Sequence, residues 1–409
     1  MDREQTHSAS TDRYNKKKDA IIAAAAGIIN RRGVKGMTLA DVAASVDLIT
    51  TSVTYYFKKK EDLAVACFLR GIERLDALVT RAMDEHSAHD RLFKVVGLCL
   101  EMDRRIREGE EAPLAMFSDM RTLREPHISL VAEPYRNLFR KIRAFFLSPD
   151  YEWFDRKTST VRTHMLLEQL YWSVTWLPRY DVEDYPRIHE RMFDILANGL
   201  VAPGAVWEPL QLAPIPPPPA SPQDSLHDTF LLAATKLINQ QGYRGASVEK
   251  ISAQLNVTKG SFYHHNDAKD DLVVACFERT FEIMRSAQTI AMHGDGNVWQ
   301  KLSGAAASLV EYQLSDRGPL LRSSALSALP EPIRYRMVDR FNRVSDRFAA
   351  MISDGIAEQS VRAVDPFVAA QMLNATLNAA SDLTFVVPVQ QHEVAALYAK
   401  PMLMGIFSP

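Results

Sequence analysis

The chain has 409 residues, 47% of them hydrophobic. A domain usually has about 100 to 200 residues, so this length predicts two or more domains with substantial cores. The formal net charge is only −2, so the charge of the whole chain indicates neither a nucleic-acid partner nor an anionic membrane surface. Any basic binding surface must therefore be local.

The three cysteines Cys67, Cys99 and Cys276 form no CxxC or Cys/His arrangement, which excludes a disulfide framework and a zinc site built on them. We expect no metal and no other cofactor. The first residues are polar and charged, and no later run reaches about 18 uninterrupted apolar residues, so neither export nor a membrane span is expected. These features predict a cytoplasmic protein that works in a reducing compartment.

Residues 202–223 contain eight prolines, and this density excludes a regular helix. The segment is therefore predicted to be a linker between two parts of the chain. In polyproline geometry about 20 residues at roughly 3.1 Å each could span about 60 Å, which is typical of a semi-rigid strut.

On both sides of the linker, apolar residues recur at three- and four-residue spacing, and no segment alternates as a strand would. This pattern predicts an all-α protein. A shift of 209 residues aligns 19–68 with 228–277 without a gap and gives sixteen identities in fifty positions. Chance does not readily produce such a match, so we infer that one module has been duplicated.

Each copy has the order of a helix-turn-helix unit. In the first copy, Thr38 can cap a helix over 39–46, residues 47–49 form a turn, and 50–56 form a second short helix. In the second copy, Ser247 caps 248–255, and the recognition helix falls at 259–265. In such units the second helix enters the major groove of DNA.

The second copy reads Leu255-Asn-Val-Thr-Lys-Gly-Ser-Phe-Tyr-His-His265, followed by Lys269-Asp-Asp-Leu272. This string resembles the signature of the TetR family of repressors, and residues 48–63 of the first copy keep much of it. The resemblance covers about 50 residues strongly in each half. It implies a three-helix DNA-binding domain followed by a helical ligand-binding and dimerisation domain, present twice and paired within one chain as a pseudo-dimer.

By the same resemblance, the capping hydroxyl, the recognition helix and the lysine that opens the next helix contact DNA, where hydroxyls and lysines position the duplex. The first-half candidates are Thr38, Thr50, Thr51, Ser52, Thr54, Tyr55, Tyr56 and Lys60. The second-half candidates are Ser247, Lys259, Gly260, Ser261, Tyr263, His264 and Lys269.

The two recognition helices differ from the family pattern in different ways. Thr50, Thr51 and Thr54 stand where Lys, Gly and Tyr are usual, and Asn266 stands where a packed Phe is usual. Residues 11–70 hold eleven Lys/Arg against six Asp/Glu, whereas 220–279 hold six against seven. We therefore expect unequal halves that read an asymmetric operator, with more phosphate attraction in the first half.

Beyond each DNA-binding part the chain has room for five or six more helices. Apolar and aromatic residues of the first half could line a pocket for a small apolar or aromatic effector, although an ordinary core explains these residues better than a binding pocket does. The candidates are Met116, Phe117, Met120, His164, Met165, Trp172 and Trp176. In family terms, residues 158–177 and 187–200 would pair with 366–386 and 392–406 in a four-helix interface.

The predicted domains are a first DNA-binding domain (15–62), a first sensor domain (63–201), the linker (202–223), a second DNA-binding domain (224–271) and a second sensor domain (272–409). The expected function is a ligand-responsive transcriptional repressor that binds double-stranded DNA. The alternative is a regulator that binds ligands or partners and in which one or both DNA-binding halves are degenerate. An enzyme is not expected, because the chain has no phosphate loop, nucleophile elbow or clustered metal ligands. Further self-association of the chain is left open.

Overall fold

The computed structural model describes residues 2–215, 222–243, 245–254 and 269–409. Within these ranges the chain is helical and contains no β-strand, apart from an isolated antiparallel bridge between Val201 and Val361. The all-α prediction is confirmed.

Eight α-helices form the first half. They are α1 (Asp2–Gly36), α2 (Leu39–Ser45), α3 (Thr50–Tyr56), α4 (Lys60–Met83), α5 (Ala88–Arg107), α6 (His127–Arg143), α7 (Arg156–Trp176) and α8 (Tyr185–Asn198). A 3₁₀ helix, Phe117–Thr122, lies between α5 and α6.

The second half repeats this order in its described parts. Its longer helices are α9 (Pro222–Gln241), α10 (Val248–Gln254), α11 (Lys269–His293), α12 (Val298–Leu314), α13 (Glu331–Ala357) and α14 (Pro366–Ala379). A 3₁₀ helix, Ser323–Ala328, lies between α12 and α13. Short helical segments follow α14 at Leu383–Val386, Gln391–Val394, Ala395–Ala399 and Lys400–Met404.

Local sequence signals set the ends of the first DNA-binding helices. Gly33 has φ 68°, a left-handed conformation that interrupts α1 and that glycine adopts without strain. The Thr38 hydroxyl caps α2 by accepting a hydrogen bond from Asp41 N at 3.0 Å. Val42 and Val53 are fully buried, and they hold α2 and α3 against the rest of the domain.

The same asparagine clamp occurs in both halves and shows that the repeat extends beyond the two helix-turn-helix copies. In each half, an asparagine near the end of the first helix donates to a carbonyl oxygen and accepts from the backbone amide two residues later. In the first half, Asn30 donates to Leu114 O at 2.8 Å and accepts from Met116 N at 2.9 Å. In the second half, Asn239 donates to Leu320 O at 2.9 Å and accepts from Arg322 N at 3.0 Å. Met116 and Arg322 therefore occupy equivalent positions.

The two halves pack against each other along α7 and α8 on one side and α14 and the C-terminal segments on the other. The Arg162 guanidinium, 2% exposed, crosses this boundary to donate to three carbonyl oxygens of the C-terminal segment. Gln169 Nε2 donates to Met372 O at 2.8 Å and to Thr376 Oγ1 at 3.1 Å. These contacts bury polar groups with their partners, as a stable interface requires.

Residues 202–215 of the predicted linker lie against the second half. Leu210 N donates to Gln300 O at 2.9 Å, and Trp299 Nε1 donates to Val206 O at 2.8 Å. This part of the linker therefore runs along α12 and does not stand free as a strut, because its apolar residues find a surface to pack on.

Candidate DNA-binding surface and effector cavity

The predicted recognition helix of the first half, α3, presents a polar face outward. Thr50 and Thr51 are exposed, and the Tyr55 side chain is 68% exposed, while Val53 on the opposite face is fully buried. Ser52 and Thr54 are half-buried at the edges of this face. The face therefore offers short hydroxyls and one aromatic hydroxyl to a partner such as a DNA groove.

Two other predicted contacts are engaged within the protein. Tyr56 packs on Tyr14 of α1, with ring centroids 4.7 Å apart, and Tyr55 lies beside both rings. The exposed Thr38 hydroxyl serves as the cap of α2 and also donates to the Asp41 carboxylate at 2.7 Å.

Lys60 lies at the first turn of α4 and reaches the end of α1. Its Nζ donates to Lys35 O at 3.1 Å and to Met37 O at 3.4 Å. The ammonium thus satisfies carbonyl groups at a helix end, where a cation is favoured. Lys58 and Lys59, next to it, are exposed.

The predicted second recognition helix, 259–265, lies entirely outside the residues that the structure describes. Ser247 is half-buried, and its hydroxyl accepts from Lys250 N at 3.3 Å, as expected of a cap. Lys269 opens α11 with its ammonium 4.4 Å from the Tyr243 ring centroid. The remaining candidates of this half lie outside the described residues, and they are Lys259, Gly260, Ser261, Tyr263 and His264.

A cavity of about 1250 Å³ lies between the two halves. Both halves contribute walls, from α4 to α7 on one side and from α9, α12 and the α14 region on the other. The predicted effector residues on its walls are Met116, Phe117, Met120, His164 and Trp172. Met165 and Trp176 are buried in the helix packing and are not among its lining residues.

One wall of this cavity carries a buried charged cluster that joins the two halves. The Arg121 guanidinium donates to both Asp382 carboxylate oxygens, at 2.9 and 3.4 Å, and Arg322 forms a second ion pair with Asp382. His164 Nε2 lies 3.9 Å from Glu168 Oε1. We call these five residues the cross-half cluster.

Burial dominates the protonation equilibria of this cluster. Desolvation, reinforced by Arg322 and Arg121, lowers the pKa of His164 to about 3, so the imidazole is neutral at physiological pH. Desolvation also raises the pKa of Glu168 above its ordinary value, and it lowers the pKa of Arg322 to about 9. The arginine therefore stays charged at neutral pH.

His164 Nδ1 lies 3.0 Å from the Tyr398 hydroxyl of the other half, so the imidazole is tied to both halves. The ligand atoms of His164, Glu168 and Asp382 lie within 4.8 Å of one another, a spacing that could hold a metal ion. Two guanidiniums beside the same carboxylate oppose a divalent cation there. The cluster is better suited to an anion.

Sequence reasoning missed four members of the cross-half cluster, which are Arg121, Glu168, Arg322 and Asp382. Glu168 was one available signal, because its carboxyl group lies on α7, a helix most of whose residues are buried. No spacing along the sequence relates Arg121 to Asp382, which is 261 residues away.

The 3₁₀ helix Phe117–Thr122 connects the cavity to both DNA-binding domains. Its Asp119 carboxylate accepts a hydrogen bond from Val34 N, near the end of α1, at 3.0 Å. Its Arg121 Nη1 lies 3.5 Å from Asn239 O, near the end of α9. The same short segment therefore touches the cavity, the first DNA-binding domain and the second.

None of the helices in the described ranges is both long and apolar enough to cross a lipid bilayer. The family model described as "Bacterial regulatory proteins, tetR family" matches the chain twice, at residues 21–67 and 230–276. The two matches fall on the two copies of the sequence repeat.

Two curated proteins are similar to part of the chain. One is the Transposon Tn10 TetC protein of Escherichia coli, 25% identical over 152 residues, which are 37% of this chain and 75% of that protein. The other is the HTH-type transcriptional repressor DhaR of Mycobacterium sp. (strain GP1), 26% identical over 131 residues, which are 31% of this chain and 66% of that protein.

Solved structures of similar fold each match one portion of the chain. The TetR family transcriptional regulator PfmR from Thermus thermophilus is 20% identical, with a TM-score of 0.37 over 43% of this chain and 97% of its own. AibR, solved in complex with isovaleryl coenzyme A and operator DNA, is 20% identical, with a TM-score of 0.36 over 43% of this chain and 96% of its own.

Proposed function

Because the chain belongs to the TetR family and is a DNA-binding transcription regulator with two such domains, we propose that it is a ligand-responsive repressor that reads an asymmetric operator. The observation that carries this proposal is that two non-identical helix-turn-helix copies are joined by one buried interface. In a symmetric dimer, identical recognition helices select a palindrome. Here different side chains select different half-sites, and the chain acts in the cytoplasm.

The exposed face of α3 supports a role in base and phosphate contacts. Replacing Thr51 and Tyr55 together with alanine should weaken specific binding by about 1–3 kcal/mol for each good hydrogen bond to a base that is removed. The double variant should still fold, because Val53, which packs on the opposite face of α3, is unchanged. Tyr335→Ala is the matched control, because this tyrosine is 70% exposed and lies on α13, outside the residue ranges of both predicted DNA-binding domains.

Fluorescence anisotropy with the DNA upstream of the gene measures this effect. If the double variant bound as tightly as the Tyr335→Ala protein, α3 would not contact DNA. Lys259→Ala with Tyr263→Ala is the corresponding pair in the second half. Absence of sequence-selective binding would favour the alternative, a regulator in which one or both DNA-binding halves are degenerate.

Operator asymmetry has a direct test. Footprinting should reveal two half-sites of unlike sequence about one helical turn apart. Operators with one half-site duplicated on both sides should bind more weakly than the natural arrangement. Equal affinity for both duplicated operators would show that the two copies read DNA alike.

The packing of α7 and α8 against the second half supports an intrachain pseudo-dimer. We expect a particle of 46 kDa, the mass of one chain, to bind the operator. Sedimentation velocity at low concentration measures this mass. An obligate dimer of chains would contradict pairing within the chain, whereas assembly of several chains on DNA would not.

The cavity supports control by a small apolar or aromatic effector. A ligand shifts the equilibrium only if it binds the two states of the protein unequally, so an inducer should favour a spacing of the DNA-binding domains that no longer fits the operator. Displacement of labelled operator DNA by added ligand measures this coupling. Ligand and DNA that bind together without mutual weakening would contradict an inducer.

A further inference from the structure

We propose that the cavity between the halves binds one anionic amphiphile per chain, with its carboxylate held by Arg121 and Arg322 and its apolar body in the first-half part of the cavity. This inference rests on the proposed ligand control and names the chemical class of the effector. It also fixes the number of sites at one.

The number of binding sites per chain follows from which half of the chain contributes each residue of the cross-half cluster. Arg121 belongs to the first half, whereas Arg322 and Asp382 belong to the second, so neither half alone builds the site. The asparagine clamp places Met116 in the first half at the position of Arg322. The repeat therefore supplies the guanidinium of Arg322 once, and the charged site is not duplicated.

Arg322 carries a donor that the described residues do not satisfy. Arg121 and Arg322 share the single carboxylate of Asp382. Arg322 is 6% exposed and lines the cavity, and its Nε has no hydrogen-bond partner among the described residues. A buried guanidinium with an unused donor is costly, and a carboxylate is the group whose geometry matches two such donors.

The neighbouring groups favour an added negative charge. The imidazole of His164 is neutral because burial lowers its pKa, and burial also raises the pKa of Glu168. Asp382 is the carboxylate that forms ion pairs with both guanidiniums. A bound carboxylate would restore the balance of charge.

The remaining walls suit an apolar body. Phe117 and Tyr171 meet edge to face with ring centroids 5.3 Å apart, and Met120 and Trp172 lie on the same side of the cavity. The cavity volume of about 1250 Å³ exceeds what a headgroup alone would need. A flexible chain or an aromatic group therefore fits beyond the carboxylate.

The site also has a route to DNA binding. Arg121 Nη1 lies 3.5 Å from Asn239 O in the last turns of α9. A carboxylate that draws Arg121 into the cavity would weaken this contact between the first half and the second DNA-binding domain. Binding at the cluster would then alter how the two DNA-binding domains are held.

The test compares acids with matched alcohols by isothermal titration calorimetry on the full chain. The probes are octanoate with octanol and phenylacetate with phenylethanol. At least one acid should bind at one molecule per chain and about tenfold more tightly than its alcohol. Arg322→Met, which installs the residue of the equivalent first-half position, should reduce that acid to the affinity of the alcohol.

Asp382→Asn provides a change of opposite sign. It removes the internal carboxylate that competes for the guanidiniums, so the acid should bind more tightly while the alcohol is unchanged. A variant that only loosened the fold would weaken both. Arg362→Met is the control, because Arg362 joins the halves through Asp194 at 2.7 Å but does not line the cavity.

Three results would overturn the proposal: neither acid binding better than its alcohol, two equal sites per chain, or an unchanged preference for the acid in Arg322→Met. Operator binding without ligand is measured in parallel. If the protein did not prefer the acid over the alcohol, but still bound the operator and released it on binding another ligand, this inference alone would be refuted. Absence of operator binding would instead refute the proposed function.

Discussion

Arg162 provides the sharpest test of the interface between the halves. Its Nε donates to Ile406 O at 2.9 Å, its Nη1 to Leu397 O at 2.9 Å and its Nη2 to Ser408 O at 3.1 Å. Replacing Arg162 with methionine keeps much of the apolar stem and removes all three donors. The C-terminal segment then loses its main polar connection to α7.

The expected loss follows from opposing contributions. Burial lowers the pKa of Arg162 to about 9, so the side chain is charged at neutral pH and its desolvation opposes folding. A hydrogen bond from a charged group contributes about 1.5–3 kcal/mol, and one buried and two partly buried carbonyl groups would lose their donor. Since the variant regains the desolvation cost, we expect a net loss of about 3–5 kcal/mol.

Urea unfolding of Arg162→Met measures this loss as a lower midpoint. The matched control is Arg362→Met, which also removes an arginine that bonds the other half, through Gly199 O and through the backbone and side chain of Asp194. The side chains of Arg362 and Asp194 are 21% and 44% exposed, so solvent screens and partly replaces these contacts, and the control should lose only about 1–2 kcal/mol. If Arg162→Met were no less stable than the control, the reasoning about buried donors would be wrong.

Three further predictions concern His164, Val53 and the exposed lysines. The unfolded chain protonates His164 below its ordinary pKa of 6.5, whereas the folded chain does so only near 3; its contribution to stability is thus complete above pH 6.5 and is lost as the pH falls. At pH 5 that loss is about 2 kcal/mol. In urea unfolding, the free energy of unfolding of His164→Gln should therefore fall by about 2 kcal/mol less between pH 7 and pH 5 than that of the unmodified protein. An identical pH dependence of the two proteins would contradict a buried neutral imidazole. Val53→Ala should destabilise the first DNA-binding domain by about 2 kcal/mol through the removal of two methyl groups and the cavity they leave. The measurement is a lower melting temperature, and the control is Ile49→Ala, which removes apolar groups from a side chain that is 71% exposed. Replacing Lys58 and Lys59 with glutamine should flatten the slope of log affinity against log salt by up to about 2, and an unchanged slope would show that neither contacts phosphate.

Local signals in the sequence predicted the helices well. The cap at Thr38 and the turn at Asp47, with φ 53°, place α2 and α3 within a residue of their predicted ends. A capping hydroxyl and a left-handed turn residue act over three or four positions, so the sequence contains them in full. The repeat then predicted the same order in the second half.

The cavity could not be predicted from the same signals. Its walls depend on how two halves separated by some two hundred residues pack together, and no local rule describes that packing. Met116 and Phe117 were identified because apolar residues crowd there, whereas Arg322, at the position equivalent to Met116, gave no signal until the halves were placed together. The hydrogen bond from the Lys60 ammonium to Lys35 O could not be predicted for the same reason, because Lys35 lies on another helix.

The equivalence of Met116 and Arg322 has an evolutionary consequence. In a homodimer one codon specifies both sides of the axis, so a mutation that places an arginine there introduces two cations facing each other. In this duplicated chain each side has its own codon, and one side could acquire a guanidinium while the other kept a thioether. Gene fusion therefore made accessible an arrangement of charge at the centre of the molecule that selection on a symmetric pair would have opposed.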